Sequence, residues 1–239
     1  MPSLSALFNY FFETKASMKT NIVTLLVVLV GIASSIFWIE AEKEIEILCG
    51  MIQPGQSIEK VNGLLETGEH LEYKLEGRKL RFHSIKNLYS ISCSVDLQNT
   101  TEVATVRFSE RIDLKILTIL IGSICTFLLM IFQIALASGR PLGEYAWGGF
   151  NKELPDSLRK ASAVSAIILL IGILSLLSLN YISFIPEGLS GYIVAGFALM
   201  FMFSILGNLA SVSKKERMVM IPASVVLFLC YFTAAYSAF

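Results

Sequence analysis

The sequence predicts a mainly α-helical membrane protein: five transmembrane helices, the last four forming a bundle, with a small α+β extracytoplasmic domain between helices 1 and 2. Three observations predict it. The chain of 239 residues is 54% hydrophobic and only 16% charged, with a mean hydropathy of +0.67, whereas soluble domains carry about 25% charged residues. Five apolar runs are each long enough to cross a bilayer core, which takes about 20 helical residues. Between the first and second runs, residues 40–111 hold most of the charge and show the period-2 alternation of half-buried strands.

Residues 1–19 read as a cytoplasmic interfacial segment. Leu4, Leu7, Phe8, Phe11 and Phe12 form one apolar stripe at helical spacing, which suits a helix lying in the headgroup layer; an unstructured tail is the alternative. The first span covers 20–39. Lys15 and Lys19 precede it, and Phe37 and Trp38 close it at interfacial depth. Its apolar run is longer than the 7–15-residue core of a signal peptide, which favours an uncleaved anchor over cleavage near Ala33 and Ser35.

In the 40–111 domain, the first helix can extend to Met51, with Ile45, Leu48 and Ile52 on one side, until Pro54-Gly55 breaks it. Ser57 is a good N-cap for a second helix whose buried face is Ile58, Val61, Leu64 and Leu65, with a stop at Gly68. Leu71, Tyr73 and Leu75 alternate with polar residues, as do Leu80 and Phe82 beyond a turn at Gly77. Tyr89, Ile91, Cys93 and Val95 make a third strand, Gln98-Asn99-Thr100 a turn, and 103–108 a fourth strand. The pattern predicts a helix covering one face of a four-stranded antiparallel sheet.

A domain of this size has a small core. Cys49 ends the first helix and Cys93 points to the core face of the third strand. A disulfide between them would stabilise the domain by a few kcal/mol if it faces an oxidising compartment; two buried thiols are the alternative.

The 112–239 region holds four spans, about 113–137, 161–184, 189–211 and 218–236. The 113–137 span is interrupted only by Lys115 near its outer end and Gln133 near its inner end. Small residues recur at helix-packing spacing in Ala161/Ser165, Gly191/Ala195 and Gly207/Ser211. Short connections decide orientation. The 138–160 loop carries Arg140, Lys152, Arg159 and Lys160, and the 212–217 loop carries Lys214, Lys215 and Arg217. The 185–188 loop has neither lysine nor arginine. With five spans this predicts a cytoplasmic N-terminus, with 40–111 and the C-terminus extracytoplasmic, in a multi-pass plasma (inner) membrane protein.

No catalytic set, metal-ligand spacing or cofactor motif stands out. Lysine plus arginine balance aspartate plus glutamate at 19 each, which gives no argument for nucleic acid. The span interiors carry no ionisable Asp, Glu, Lys, Arg or His, against a proton-coupled transporter or an intramembrane protease. Gln133, Asn180 and Asn208 near span ends read as interhelix hydrogen-bonding groups. Cys125 and Cys230 read as small apolar residues; a thiol-redox enzyme would need them adjacent, with Cys49 and Cys93 as a second pair. Asn99-Thr100-Thr101 is a glycosylation sequon, and His70 and His83 read as strand-edge residues.

The most unusual stretch is the glycine-rich connection 138–149, where glycines and a proline exclude a plain helix. Arg140 can hold a lipid phosphate with help from the backbone at Gly143, Gly148 and Gly149, and Tyr145 and Trp147 suit the headgroup layer. A tight turn packed under the bundle is the alternative. No GK[ST] follows, so this is not a P-loop.

The segment LASGRPLGEYAWGG at 136–149, followed by Leu154-Pro155 and Leu158-Arg159-Lys160-Ala161-Ser162, resembles a group of uncharacterised bacterial four-span membrane proteins. Asn208, Ser211, Ser213, Glu216-Arg217 and Pro222 fit the same pattern. That resemblance covers 113–239 and implies no activity. Residues 52–61 with Leu64-Leu65 and Gly68 resemble the opening of SmpA/OmlA-like periplasmic domains, which implies a helix-and-sheet module for protein contacts; this chain lacks their lipoprotein cysteine. Both resemblances imply a bacterial plasma membrane. The leading functional expectation is a non-enzymatic membrane protein binding a protein partner, or stabilising an assembly, through residues 42–110. The alternative is a lipid-interacting protein or small transporter using the loop around Arg140, with membrane lipids as partners.

Overall fold

The computed structural model describes residues 15–68, 70–86, 90–99, 101–110, 113–180 and 184–239. The amphipathic segment expected at 1–14, Tyr89 of the third strand and Thr100 of the sequon lie outside the described residues. In chain order the elements are α1 (Lys15–Met51), α2 (Ile58–Leu65), β1 (Leu71–Glu76), β2 (Lys79–Ser84), β3 (Ile91–Leu97), β4 (Val103–Glu110), α3 (Leu114–Ala137), two 3-10 turns (Gly143–Tyr145 and Trp147–Gly149), α4 (Asp156–Ser178), α5 (Glu187–Leu209) and α6 (Lys214–Ala238). Five helices, α1 and α3 to α6, are long and apolar enough to cross a membrane. The chain divides into two compact units, residues 33–114 and residues 1–32 with 115–239.

The 33–114 unit is a four-stranded antiparallel meander in the order β1-β2-β3-β4. Alternation of apolar and polar side chains sets its two faces. Leu80, Phe82, Ile91, Cys93, Val95 and Leu97 are buried, together with Val61 and Leu65 of α2 and Ile45, Leu48 and Ile52 of the α1 extension and the turn after it. Ser57 caps α2, its hydroxyl accepting from the Lys60 N–H. The turn before the cap is hydrogen-bonded to the start of β4: Gly55 N–H to the Val103 carbonyl at 2.8 Å, and Ile58 N–H to the Thr101 carbonyl at 2.7 Å. That pairing sets where α2 enters the sheet face. Cys49 and Cys93 form a disulfide, with Cα atoms 5.9 Å apart and both residues buried. It ties the end of α1 to the core face of β3.

The other unit is organised by α6. Tyr231 is fully buried, and its hydroxyl shares a hydrogen bond of 3.1 Å with that of Thr126 on α3. Its ring meets Phe197 and Phe201 of α5 at centroid distances of 5.5 and 5.2 Å. The third neighbouring helix is α4, at Gly172, where a Cβ would lie 2.9 Å from the Tyr231 hydroxyl oxygen and 2.8 Å from the Phe197 ring. Only glycine leaves room for that approach.

The spacing of small residues therefore misplaces the close contacts. Gly207 faces open space, Gly191 makes only ordinary contacts, and the Ser165 hydroxyl bonds to the Ala161 carbonyl of its own helix. The tight approaches fall at Gly31, Gly172 and Gly122 instead, because close packing depends on which face meets a neighbour, and a spacing of four does not say which. The bundle also differs from a set of the last four helices. Val28 and Ile32 of α1 pack against its core, and Arg217 at the start of α6 donates to the Asn21 side chain at 3.3 Å.

Helix limits depart from the apolar runs at both ends. The third span is helical over Asp156–Ser178 rather than 161–184, because Pro155 starts the helix and the polar turn 156–160 belongs to it. The last span begins at Lys214 rather than 218, because the Ser213 side chain caps it by accepting from the Glu216 N–H at 3.2 Å.

Two outcomes follow. Reducing the disulfide, or making Cys49→Ala with Cys93→Ala, lowers stability by about 4 kcal/mol on the chain-entropy relation; thermal melting of the full chain with and without reductant reads this, and the double variant should show no further response to reductant. In detergent, Gly172→Val destabilises by about 1–3 kcal/mol through overpacking, whereas Gly207→Ala is neutral or slightly stabilising because it only gains helix propensity.

Candidate functional site

The polar residues of the helical unit converge at one end of the bundle, where α5 passes into α6 and the 138–155 connection folds back. That connection is a compact lobe. Leu136, Ala146 and Leu154 are buried together, supported by Phe132, Leu142 and Leu158. The Gly143 N–H donates to the Lys152 carbonyl at 3.0 Å, closing the lobe at its base.

Trp147, Gly148 and Gly149 then run in succession with φ of 55°, 84° and 69°. Glycine takes this left-handed region freely, but tryptophan there is strained. The Trp147 indole N–H is held by the Ser162 hydroxyl at 3.1 Å. Side chains at 148 and 149 would also collide with Phe150 and Ser213, respectively.

This run turns the Gly148 N–H toward Glu216, whose carboxylate accepts it at 3.3 Å. The other carboxylate oxygen accepts from the Ser211 hydroxyl. Glu216 is only 6% exposed, and among the described residues no basic side chain pairs with it. Its neighbour Lys215 instead reaches Glu144 at 2.6 Å and lies over the Tyr145 ring. The Ser213 hydroxyl, besides capping α6, donates to the Glu144 carbonyl at 2.7 Å. The start of α6 and the glycine-rich lobe thus form one hydrogen-bonded assembly.

One turn deeper, the Asn208 side-chain amide donates to Ser224 at 2.9 Å, and to Ser204 and the Met220 carbonyl at 3.3 Å each. Ser204 and Ser224 are themselves 3.1 Å apart. Between this cluster and the lobe lies a cavity of about 130 Å³, lined among others by Gln133, Trp147, Ser204, Asn208, Glu216 and Ser224. The Gln133 side-chain carbonyl oxygen is buried there without a hydrogen-bond partner.

The residues expected to contact lipid or ligand divide in two. Gly143, Tyr145, Trp147, Gly148 and Gly149 come together in the lobe. Arg140 is exposed at its edge and belongs to none of these networks. The guanidinium inside the lobe is that of Arg159, which donates to the Leu154 carbonyl at 2.8 Å and would lie 2.9 Å from a Cβ at Gly139. Asn208 does bridge helices as its type suggests. Glu216 escapes a reading from apolar runs because those runs start at 218. Its signal was the pattern Ser213-x-x-Glu216, a capping box, although here the carboxylate turns to Ser211 and Gly148 instead of the cap's own N–H. Cys125 and Cys230 are free thiols. His83 faces Glu72 across the sheet at 3.4 Å, and His70 precedes β1.

The hydrogen bond and charge of Lys215 hold the Glu144 carboxyl below the usual glutamate range. A lowered carboxylate pKa contributes stability that is present above the ordinary glutamate value and is lost as pH falls through the depressed one. The rim of the lobe therefore loosens only in acid. In a Trp38→Phe background, Trp147 fluorescence should be flat down to the ordinary glutamate range and change below it, and Glu144→Gln should remove that acid transition.

No protein-family model, curated protein or solved structure matches the chain.

Proposed function

We propose that this is a non-enzymatic multi-pass membrane protein, of the bacterial plasma membrane, whose 40–111 domain lies outside the cytoplasm and docks a partner protein. The observation that carries the docking reading is the edge strand β1. Tyr73 and Leu75 stand opposite Phe82 and Leu80 in the ladder, so they belong to the apolar face of the sheet. Phe82 and Leu80 are buried, but Tyr73 and Leu75 are 48% and 52% exposed. Among the described residues, β1 has no further strand on its outer side. Lys74 and Glu76 pair with each other at 2.8 Å on the opposite face, so among the described residues of β1 none puts a charge on the apolar side. An uncovered edge with apolar side chains is the surface that an extended segment of another protein adds to as a strand.

The orientation is supported by the lysines and arginines of the 138–160 and 212–217 segments against none in 185–188. The Cys49–Cys93 disulfide suits an oxidising compartment. A second reading, lipid contact through the glycine-rich lobe, draws on the exposed Arg140 and on Trp147 and Phe150, which are 41% and 76% exposed.

A photocrosslinker at Tyr73, in cells, should trap a distinct partner band that Leu75→Lys abolishes. A crosslinker at Arg81, on the polar face, should not trap it. Absence of any band at Tyr73, or equal bands at both positions, would count against docking at β1. A phospholipid retained by gently extracted wild type and lost from Arg140→Ala would favour the second reading.

A further inference from the structure

We propose that the cavity at the loop end of the bundle is a binding site for a compact primary ammonium group. The wall is rich in acceptors. The Gln133 carbonyl oxygen is buried and unpartnered, and a buried acceptor left alone costs free energy that a donor would recover. The Glu216 carboxylate is buried with only neutral partners, the Gly148 N–H and the Ser211 hydroxyl. A buried carboxylate is expensive without a cation, and its two basic neighbours in sequence reach elsewhere, Lys215 to Glu144 and Arg217 to the Asn21 side chain. The amide donors of Asn208 are spent on Ser204, Ser224 and the Met220 carbonyl, so they do not compete as donors into the cavity.

Size and shape narrow the class. About 130 Å³ is the room of roughly four water molecules, enough for an ammonium with one or two methylenes. Trp147 offers an aromatic ring to a cation, and Leu129 and Ala223 supply apolar wall. An alkali metal ion would leave the apolar wall unused, and a divalent ion asks for more carboxylates than Glu216. The strained Trp147 backbone fits this role, since strain at a bulky residue gathers at ligand clamps. Two sources carry the group: the headgroup of an aminophospholipid or a free small amine. This site is separate from the β1 edge, so the two proposals stand or fall independently.

The test uses the full chain as Trp38→Phe, leaving Trp147 as its one tryptophan, in phosphatidylcholine nanodiscs. Ethanolamine should change Trp147 fluorescence saturably, and tetramethylammonium, sodium and potassium should not. Saturation by ethanolamine identifies a free-amine site. Phosphatidylethanolamine retained through purification, and exchanged only by the same lipid, identifies the headgroup. Glu216→Gln, which keeps groups able to bond Gly148 and Ser211, should weaken binding or retention by at least about tenfold. Gln133→Leu should weaken it severalfold and serves if the first variant fails to fold. The proposal is overturned if neither probe binds, if tetramethylammonium or an alkali ion binds as well as ethanolamine, or if both variants bind like the parent.

Discussion

The helical unit depends on one hydroxyl having somewhere to go. Tyr231 is fully buried, and its hydroxyl without a partner would cost about 1–3 kcal/mol. Thr126 on α3 supplies the partner, Phe197 and Phe201 on α5 hold the ring, and Gly172 on α4 makes the room. Three neighbouring helices are thus positioned by a single side chain of the last one. Between helices in lipid, apolar contact alone gives little preference for one arrangement, and small residues and hydrogen bonds decide it.

The same requirement shapes the loop end. Asn208 ties α5 to α6 through the Ser224 hydroxyl and the Met220 backbone carbonyl, and Glu216 draws its donors from the chain just before α6 and from the glycine-rich lobe. The exposed Lys215–Glu144 pair at the rim adds register more than energy. The 33–114 unit solves a different problem. Its polar groups are met by the sheet ladder, but its apolar core is small, and a covalent bond makes up part of the difference.

The sheet unit was the most legible part of the chain. Alternation at Ile91, Cys93 and Val95 placed the strand and its core face, Ser57 placed the α2 cap, and the two cysteines fell where a bond could join them. Those signals are local, so one sequence suffices to read them. The bundle's contacts were less legible because they depend on which faces meet. Small residues at Gly191 and Gly207 have the same spacing as any packing motif, yet the close approaches are at Gly31, Gly122 and Gly172. The left-handed Trp147 had no local signal, since its conformation is imposed by Ser162 and by the lobe. Glu216 had one, in the capping pattern, but its destination 68 residues away in Gly148 could not be read from it.

That separation has a consequence for biogenesis. Glu144 and Gly148 receive their partners from residues 213–216. A ribosome has therefore made α1 to α5 before the lobe can close. Until then Ser162 can hold Trp147, but the Gly148 N–H lacks its Glu216 acceptor and Glu144 lacks its Lys215 partner. The emergence of α6 completes both the core, through Tyr231, and the lobe, through Glu216. A chain cut short before residue 213 would lose more than one span: it would leave the earlier helices without the side chain that seats them and the lobe without its lock.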